Sequence, residues 1–314
     1  MDLQPKYLKD YIGQDNIKKS ILIAIKASKK RKEPFPHVLL HGASGLGKTT
    51  LAHVIAKEFQ SRCKTILAPV ITSHDQIYDS LTKCKKNDFL FIDEVHALPR
   101  QFQETLYSAM TDRKITVVKI DGYTRKPFEK EVTLKPFTCI TATTELGELA
   151  VPFRERFGFI IPLTDYSHEE IKTIISNNGK KIKLNLDDSA LDLVTNASKK
   201  NPRSANRLLE RCRDTATVED TNHITEEIVL ETLTNLQIEP NGLNLYDIKI
   251  LETLFYKFHA KPTGLKTLSL ITSIDQKAIE NQYEPYLIEL DFIERQSRGR
   301  VITQQGINYI LENK

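Results

Sequence analysis

The chain has 314 residues, 40% hydrophobic and 27% charged, which allows two or three domains with full cores and excludes a long disordered segment. A net charge of +4 is too small for the whole surface to be a nucleic-acid footprint, so any basic patch must be local. Four scattered cysteines, Cys63, Cys84, Cys139 and Cys212, with no C-x-x-C pair, no signal-peptide core at Met1–Lys6 and no apolar run near the length of a membrane span lead us to expect a soluble, cytoplasmic protein with buried thiols.

An extended arm through Gln4-Pro5 leads to Tyr11-Ile12-Gly13-Gln14, and a helix is predicted over 15–30 with Ile17, Ile21, Ala24 and Ile25 on one face. Its lysines, Lys18, Lys19, Lys26 and Lys29, leave two readings open, a solvated face or a DNA contact. Pro34 and Pro36 break the chain before an apolar strand, Val38-Leu39-Leu40. Then comes Gly42-Ala43-Ser44-Gly45-Leu46-Gly47-Lys48-Thr49, with a predicted helix from Thr50 to Phe59. The spacing G-x-x-x-x-G-K-[ST] arises by chance in about one chain of this length in a hundred. Its glycines let consecutive N–H groups turn inward around a triphosphate at a helix N-terminus. Lys48 would reach the β/γ-phosphates and the Thr49 hydroxyl a Mg²⁺ ion, so ATP with Mg²⁺ is the expected ligand.

The second landmark is Phe89-Leu90-Phe91-Ile92-Asp93-Glu94-Val95-His96, an unbroken apolar run typical of a central parallel strand that ends in adjacent carboxylates. Alternation points the two acids apart, suiting Asp93 to the metal and Glu94 to deprotonating the attacking water, with His96 a structural neighbour. Phe137–Thr144 is a third strand of this kind and puts Thr144 at the carboxyl edge, where it could sense the γ-phosphate. Between these strands, Ile115–Gly122 and Lys130–Leu134 read as a protruding hairpin that touches either a partner protein or a neighbouring subunit.

Arg154-Glu155-Arg156 precedes Gly158 and is either a pair of surface arginines or an arginine finger for the next subunit's γ-phosphate. Ser167-x-x-Glu170 is a capping box, and Asn201-Pro202-Arg203 opens a helix with Arg203 placed to swing onto a phosphate. After Pro240-Asn241-Gly242, predicted helices over 245–258, 265–270 and 275–290 and a hairpin around Ser297-Arg298-Gly299 outline a winged helix. Arg295, Arg298 and Arg300 give its tip a basic cluster fit for phosphates or a minor groove, although winged helices also serve as protein docking modules.

Together these residues resemble an AAA+ ATPase, and more closely the RuvB family of Holliday-junction branch-migration motors. Beyond the loop and the acidic strand, the resemblance is carried by Tyr11-Ile12-Gly13-Gln14, Ala142-Thr143-Thr144, Arg154-x-Arg156-Phe157-Gly158, Asn201-Pro202-Arg203-x-Ala205-Asn206-Arg207-Leu208, Glu284-Pro285-Tyr286-Leu287 and Arg298-Gly299-Arg300. It implies an α/β P-loop ATPase domain with a parallel sheet over 1–164, a small helical lid over 165–240 and a DNA-binding winged helix over 241–314. It also implies nucleotide contacts at Leu3, Gln4, Gly45, Gly47, Lys48, Thr49, Thr50, Asp93 and Tyr166, with metal ligation at Thr49 and Asp93. Glu94, Thr144, Arg156 and Arg203 take the catalytic base, first-sensor, trans-acting finger and second-sensor positions, and Arg295 and Arg300 the DNA contacts. The family works as a homohexameric ring on the duplex arms of a four-way junction held by a separate protein, RuvA. Another AAA+ DNA-remodelling or loader ATPase, or a nucleotide-gated DNA-binding switch with weak turnover, are the competing expectations. The family's Gly-Pro-Pro-Gly is Gly42-Ala43-Ser44-Gly45 here, its Arg-Pro near the start is Gln4-Pro5, and the arginine after Ala-Thr-Thr is Glu145.

Overall fold

A computed structural model describes residues 3–120 and 127–313, which form two compact units, Met1–Ile174 with Asn201–Arg203, and Ile175–Lys200 with Ser204–Lys314. The first unit carries α1 (Asp15–Arg31), β1 (Val38–His41), α2 (Lys48–Phe59), β2 (Cys63–Leu67), α3 (His74–Thr82), β3 (Phe89–Asp93), α4 (Arg100–Thr111), β4 (Lys114–Ile120), β5 (Pro127–Thr133), β6 (Thr138–Thr143), α5 (Val151–Arg154) and β7 (Phe159–Pro162), and α6 (His168–Lys181) runs from it into the second. Five strands make a parallel sheet in the order β2-β3-β6-β1-β7. The apolar runs are what a central parallel strand requires, since β1, β3 and β6 are buried on both faces with Val38–Leu40, Phe89–Ile92 and Cys139–Ile140 at 0–1% exposure. The edge strands are more open: β7 alternates between covered and exposed residues, and β2 exposes Lys64, Thr65 and Leu67.

Parallel strands need crossovers, and β6 is reached only after the chain leaves β3, passes α4 and makes the β4–β5 hairpin. The hairpin pairs Ile115 with Val132 and Val117 with Lys130, and Ile115 and Leu134 root it in the sheet's hydrophobic core. Its second strand starts at Pro127, three residues earlier than the alternation suggested, and the predicted Asp121-Gly122 turn lies outside the described residues.

His37 sits at the foot of β1, where its Nδ1 accepts the Cys139 N–H at 2.8 Å and its Nε2 lies 3.4 Å from the Met110 carbonyl oxygen. Burial, offset by the Met110 carbonyl and assisted by Arg113, lowers its pKa to about 4. The unfolded imidazole binds its proton at the ordinary value, so between about 4 and 6.5 the unfolded state holds more protons and stability falls as pH falls. The wild type is expected to lose up to about 3 kcal/mol across that window through this group. In His37→Asn, whose amide oxygen can take the Cys139 N–H, urea midpoints at pH 7 and pH 5 should differ by correspondingly less; equal pH dependence in both proteins would refute the assignment.

The second unit contains β8 (Asn185–Leu186), α7 (Asp188–Ala197), α8 (Pro202–Val218, whose Pro202 and Arg203 belong to the first unit), β9 (His223–Ile224), α9 (Glu226–Asn235), α10 (Leu245–Glu252), α11 (Leu265–Thr272), α12 (Gln276–Ala278), α13 (Glu284–Glu289), β10 (Ile293–Gln296), β11 (Gly299–Ile302) and α14 (Gln304–Glu312). Pro202 takes the first turn of α8, where its missing N–H costs nothing, and the capping box at the start of α6 forms as predicted, with reciprocal Ser167 and Glu170 bonds of 2.7 and 3.2 Å. Two helices predicted as continuous each hold a π-turn, at Thr253–Lys257 after α10 and at Ile279–Tyr283 between α12 and α13. Beyond the predicted elements, α14 closes the winged helix by placing Ile310 in a core with Ile250, Leu254, Leu268 and Leu287. The wing pairs Arg295 with Arg300, and Thr263 bridges to Arg300 as a third strand segment.

Candidate nucleotide site and DNA wing

The phosphate loop follows the last residue of β1. Gly45 and Gly47 have φ of 86° and 92°, a left-handed conformation that a side chain would strain, and a Cβ on Gly45 would come within 2.3 Å of the Asn201 amide. Gly47 then caps α2, so the free N–H groups of its first turn and its positive dipole end face the loop's concavity. Lys48 is nearly buried, with its Nζ donating to the Gly42 and Ala43 carbonyls at 2.7 and 2.8 Å. Burial lowers its pKa, the carboxylates of Glu94 and Asp93 oppose that shift, and Arg203 adds to it. Three charged side chains therefore act on the Lys48 ammonium.

The sheet order explains why. With β6 between β1 and β3, the register aligns His41 with Thr143 and Ile92 with Thr141, so the chain beyond all three strands opens onto one edge. There Thr49 Oγ1 donates to Asp93 Oδ2 at 2.9 Å, while Asp93 Oδ1 accepts the Glu94 N–H at 3.1 Å. Glu94 itself has φ of 51°, an uncommon conformation for a residue with a side chain. Glu94 Oε2 lies 3.5 Å from Thr144 Oγ1 and 3.4 Å from His96 Nδ1, and that nitrogen lies 3.1 Å from Thr143 Oγ1.

A hydroxyl and a single carboxylate in contact are hard oxygen donors that suit Mg²⁺ completed by phosphate and water, and among the described residues no cluster of three or more His, Cys, Asp or Glu offers a softer site.

Arg203 Nη1 donates to Ser44 Oγ at 3.1 Å, so this arginine reaches the loop as the sequence suggested. Its neighbour Asn201 was missed. The Asn201 Nδ2 donates to the Ser44 carbonyl at 2.8 Å and its Oδ1 accepts the Arg203 N–H at 3.0 Å, clamping the loop from the helix start. An asparagine directly before Pro at a helix N-terminus was the available signal. Tyr11 and Tyr166 lie behind the loop, their hydroxyls 3.1 Å apart and 3.4 and 3.2 Å from the Leu46 carbonyl oxygen. Burial raises both phenol pKa values, so both stay neutral and brace the loop from its buried side. Leu3 is buried, Gln4 and Thr144 are exposed, and Thr50 is partly exposed.

Arg156 is exposed. Its Nη2 donates to Tyr107 Oη at 2.7 Å and its guanidinium stands 4.6 Å from that ring's centroid, whereas Arg154 is half-buried. In the wing, Arg295 Nε and Nη2 hold Glu284 at 2.5 and 3.0 Å, Arg300 holds the same carboxylate at 3.1 and 3.1 Å, and Glu280 joins both at 3.2 and 3.5 Å. Glu284 is 1% exposed, so these two arginines arrive at the surface largely neutralised. Arg298 at the turn is exposed and has no side-chain partner among the described residues. Among the described residues, the three arginines thus form one compensated pair and one cation without a side-chain partner.

A P-loop, an acidic strand one place removed from it in the sheet and a polar strand end between them define an AAA+ ATPase. Family models for the RuvB P-loop domain, the RuvB AAA lid domain and the RuvB C-terminal winged-helix domain match residues 3–163, 166–239 and 240–311. The chain is 39% identical over 308 residues to the Holliday junction branch migration complex subunit RuvB of Kosmotoga olearia, covering 98% of this chain and 90% of the relative. It is 40% identical over 309 residues to that of Latilactobacillus sakei, with 98% and 91% coverage. The solved structure of the Thermotoga maritima RuvB Holliday junction branch migration motor superposes with a TM-score of 0.85 at 37% identity, covering 98% of both chains. The chain belongs to the RuvB family.

Proposed function

We propose that the protein is an ATP-driven DNA motor that moves the branch point of Holliday junctions in recombination and repair. The observation that carries this is the convergence of Lys48, Thr49, Asp93, Glu94, Thr144 and Arg203 on one sheet edge in a chain that belongs to the RuvB family throughout its length. Domains at 1–164, 165–240 and 241–314 divide this work into nucleotide, lid and DNA modules, in keeping with the spans of the three family models.

The loop N–H groups and Lys48 bind the β/γ-phosphates of ATP, and Gly45, Gly47 and Thr50 line that cradle. By family position Leu3 and Gln4 would contact the nucleotide, and Tyr166 would act on it through the loop that it braces. Thr49 and Asp93 would hold Mg²⁺, which when bound supplies neutralisation of phosphate charge. Glu94 orients a water and takes its proton as the water oxygen attacks the γ-phosphorus and the bond to the β–γ bridging oxygen breaks. Thr144, within reach of Glu94, positions the same water. Arg156 completes the site of the next subunit, which makes the working form a homo-oligomeric ring, a hexamer by family analogy. The hairpin β4–β5 would dock a RuvA-like junction protein, and the cytoplasm is the expected compartment.

The test is steady-state ATP hydrolysis against protein concentration with no DNA, linear duplex and a synthetic four-way junction, alongside junction resolution into duplex products. Turnover rising faster than linearly with protein, stimulated by DNA and coupled to junction resolution, supports the motor. DNA-indifferent turnover with no junction movement would replace it with a nucleotide-gated switch.

For the wing, Arg298→Ala is expected to weaken duplex binding and to reduce the slope of log K against log[salt] by about 1, the value for one lost phosphate contact. Arg300→Ala should instead lower thermal stability, because it leaves the buried Glu284 carboxylate short of a partner. Fluorescence anisotropy across a salt series, with melting curves, separates the two.

A further inference from the structure

Asn201 and Arg203 touch the phosphate loop at Ser44, and the two residues before them carry contacts of a different kind. Lys199 Nζ donates to Asp247 Oδ2 at 2.5 Å, and Asp247 is fully buried in the first turn of α10, where the same oxygen accepts the Asn244 N–H at 2.9 Å. The Lys199 ammonium also stands 4.8 Å from the ring centroid of Tyr286, whose hydroxyl donates to the Asn241 carbonyl at 2.6 Å. Lys200 pairs with Glu289 on α13. Gly242, at the entry to the winged helix, backs so closely on the Ala197 carbonyl that a Cβ would come within 2.9 Å of it.

The backbone between these contacts is strained. Lys199 and Lys200 have φ of 54° and 51°, two successive side-chain-bearing residues in the left-handed region. Such a conformation persists only when its surroundings over-determine it. Here the Asp247 and Tyr286 contacts hold the first lysine, Glu289 holds the second, and one peptide bond later Asn201 is held by the loop. Lys199 cannot leave without stranding a buried carboxylate, so a displacement of Asn201-Pro202-Arg203 bears on α10 and α13 as well as on Lys199.

We infer that Lys199 is a positioning residue which, through Asp247 and Tyr286, couples the nucleotide-touching tripeptide Asn201-Pro202-Arg203 to the winged helix, so that the nucleotide at the phosphate loop sets the affinity of the wing for duplex DNA. This rests on the motor reading above. It accounts for a buried ion pair, two strained lysines and a loop-clamping asparagine lying within a few residues of one another in the chain.

The experiment uses the full-length protein and its Lys199→Met, Lys199→Arg and Glu289→Gln variants. Three quantities are read: ATP turnover without DNA, duplex affinity in ADP and in a non-hydrolysable ATP analogue, and junctions resolved per ATP hydrolysed. Lys199→Met is expected to keep DNA-free turnover within about twofold, to shrink the nucleotide-dependent difference in duplex affinity below about twofold, and to lose about tenfold in junctions per ATP. Lys199→Arg should retain both. If Lys199→Met loses duplex binding in both nucleotides through misfolding, Glu289→Gln, which breaks a half-exposed pair, should still lower junctions per ATP by about threefold. Wild-type coupling in whichever of these two variants folds overturns the inference. A wild type with no nucleotide-dependent duplex affinity would overturn the motor reading, and the inference with it.

Discussion

Lys48→Ala is expected to lower ATP turnover by at least about 10²- to 10³-fold, the scale for removing one preorganised charge from a transition state. Two cations, Lys48 and Arg203, and two anions, Asp93 and Glu94, act together at the loop. Without Lys48 the balance is negative and faces a polyanion, so nucleotide affinity falls as well as rate. The Lys48 ammonium rests on the Gly42 and Ala43 carbonyls, which its loss leaves to water at the loop mouth, so the fold should survive. Radiometric single-turnover hydrolysis with titration of a fluorescent ATP analogue measures both effects. Turnover within a few-fold of wild type, with a normal melting temperature, would remove the phosphate loop from the chemistry.

Arg156→Ala is expected to cost about 10³-fold or more in turnover while leaving nucleotide binding within a few-fold, since an arginine supplied in trans is worth about 10³ to 10⁵ in rate. Among the described residues Arg156 is exposed and held against Tyr107 alone, in a hydrogen bond and a cation–π contact that present the fork outward in a fixed pose. Glu94→Gln should be inactive for another reason, because it lacks the base while keeping the finger. Mixing the two variants pairs an intact finger with an intact base at some interfaces, and activity should return to a fraction of wild type. The absence of recovery at every mixing ratio would place both residues in one subunit's site. Tyr107→Phe, which keeps the ring and loses the hydroxyl, should fall between wild type and Arg156→Ala.

Much of this site was legible locally. The glycine spacing before Lys48, the two acids after four apolar residues, and the Ser167–Glu170 box are short patterns whose physics acts within a few residues, and each forms where the pattern lies. The wing arginines show the limit. Their sequence reads as a basic tip, yet Glu284, 11 residues before Arg295 and 16 before Arg300, takes up both guanidinium groups and leaves Arg298 without a side-chain partner among the described residues. Charge counted along a chain cannot reveal which charges the fold has paired. The contacts of Asn201 and Tyr11 were likewise not legible, although both residues stand in recognisable motifs, because their partners, Ser44 and Leu46, lie 157 and 35 residues away.

By itself the sequence determined the elements and their chemistry: which runs are buried strands, where helices begin, and which residues can handle phosphate, metal and water. Side-chain periodicity and capping act over single turns or pleats, so a linear reading captures them. Only the tertiary structure decided that β6 enters between β3 and β1, bringing Thr143 and Thr144 against His96 and Glu94, that Glu94 turns left-handed beside Asp93, and that Lys199 and Lys200 are strained between Asp247, Glu289 and the loop clamp. Strand order and buried ion pairs depend on which distant segments exclude water together, and that is set by closing the whole chain on itself.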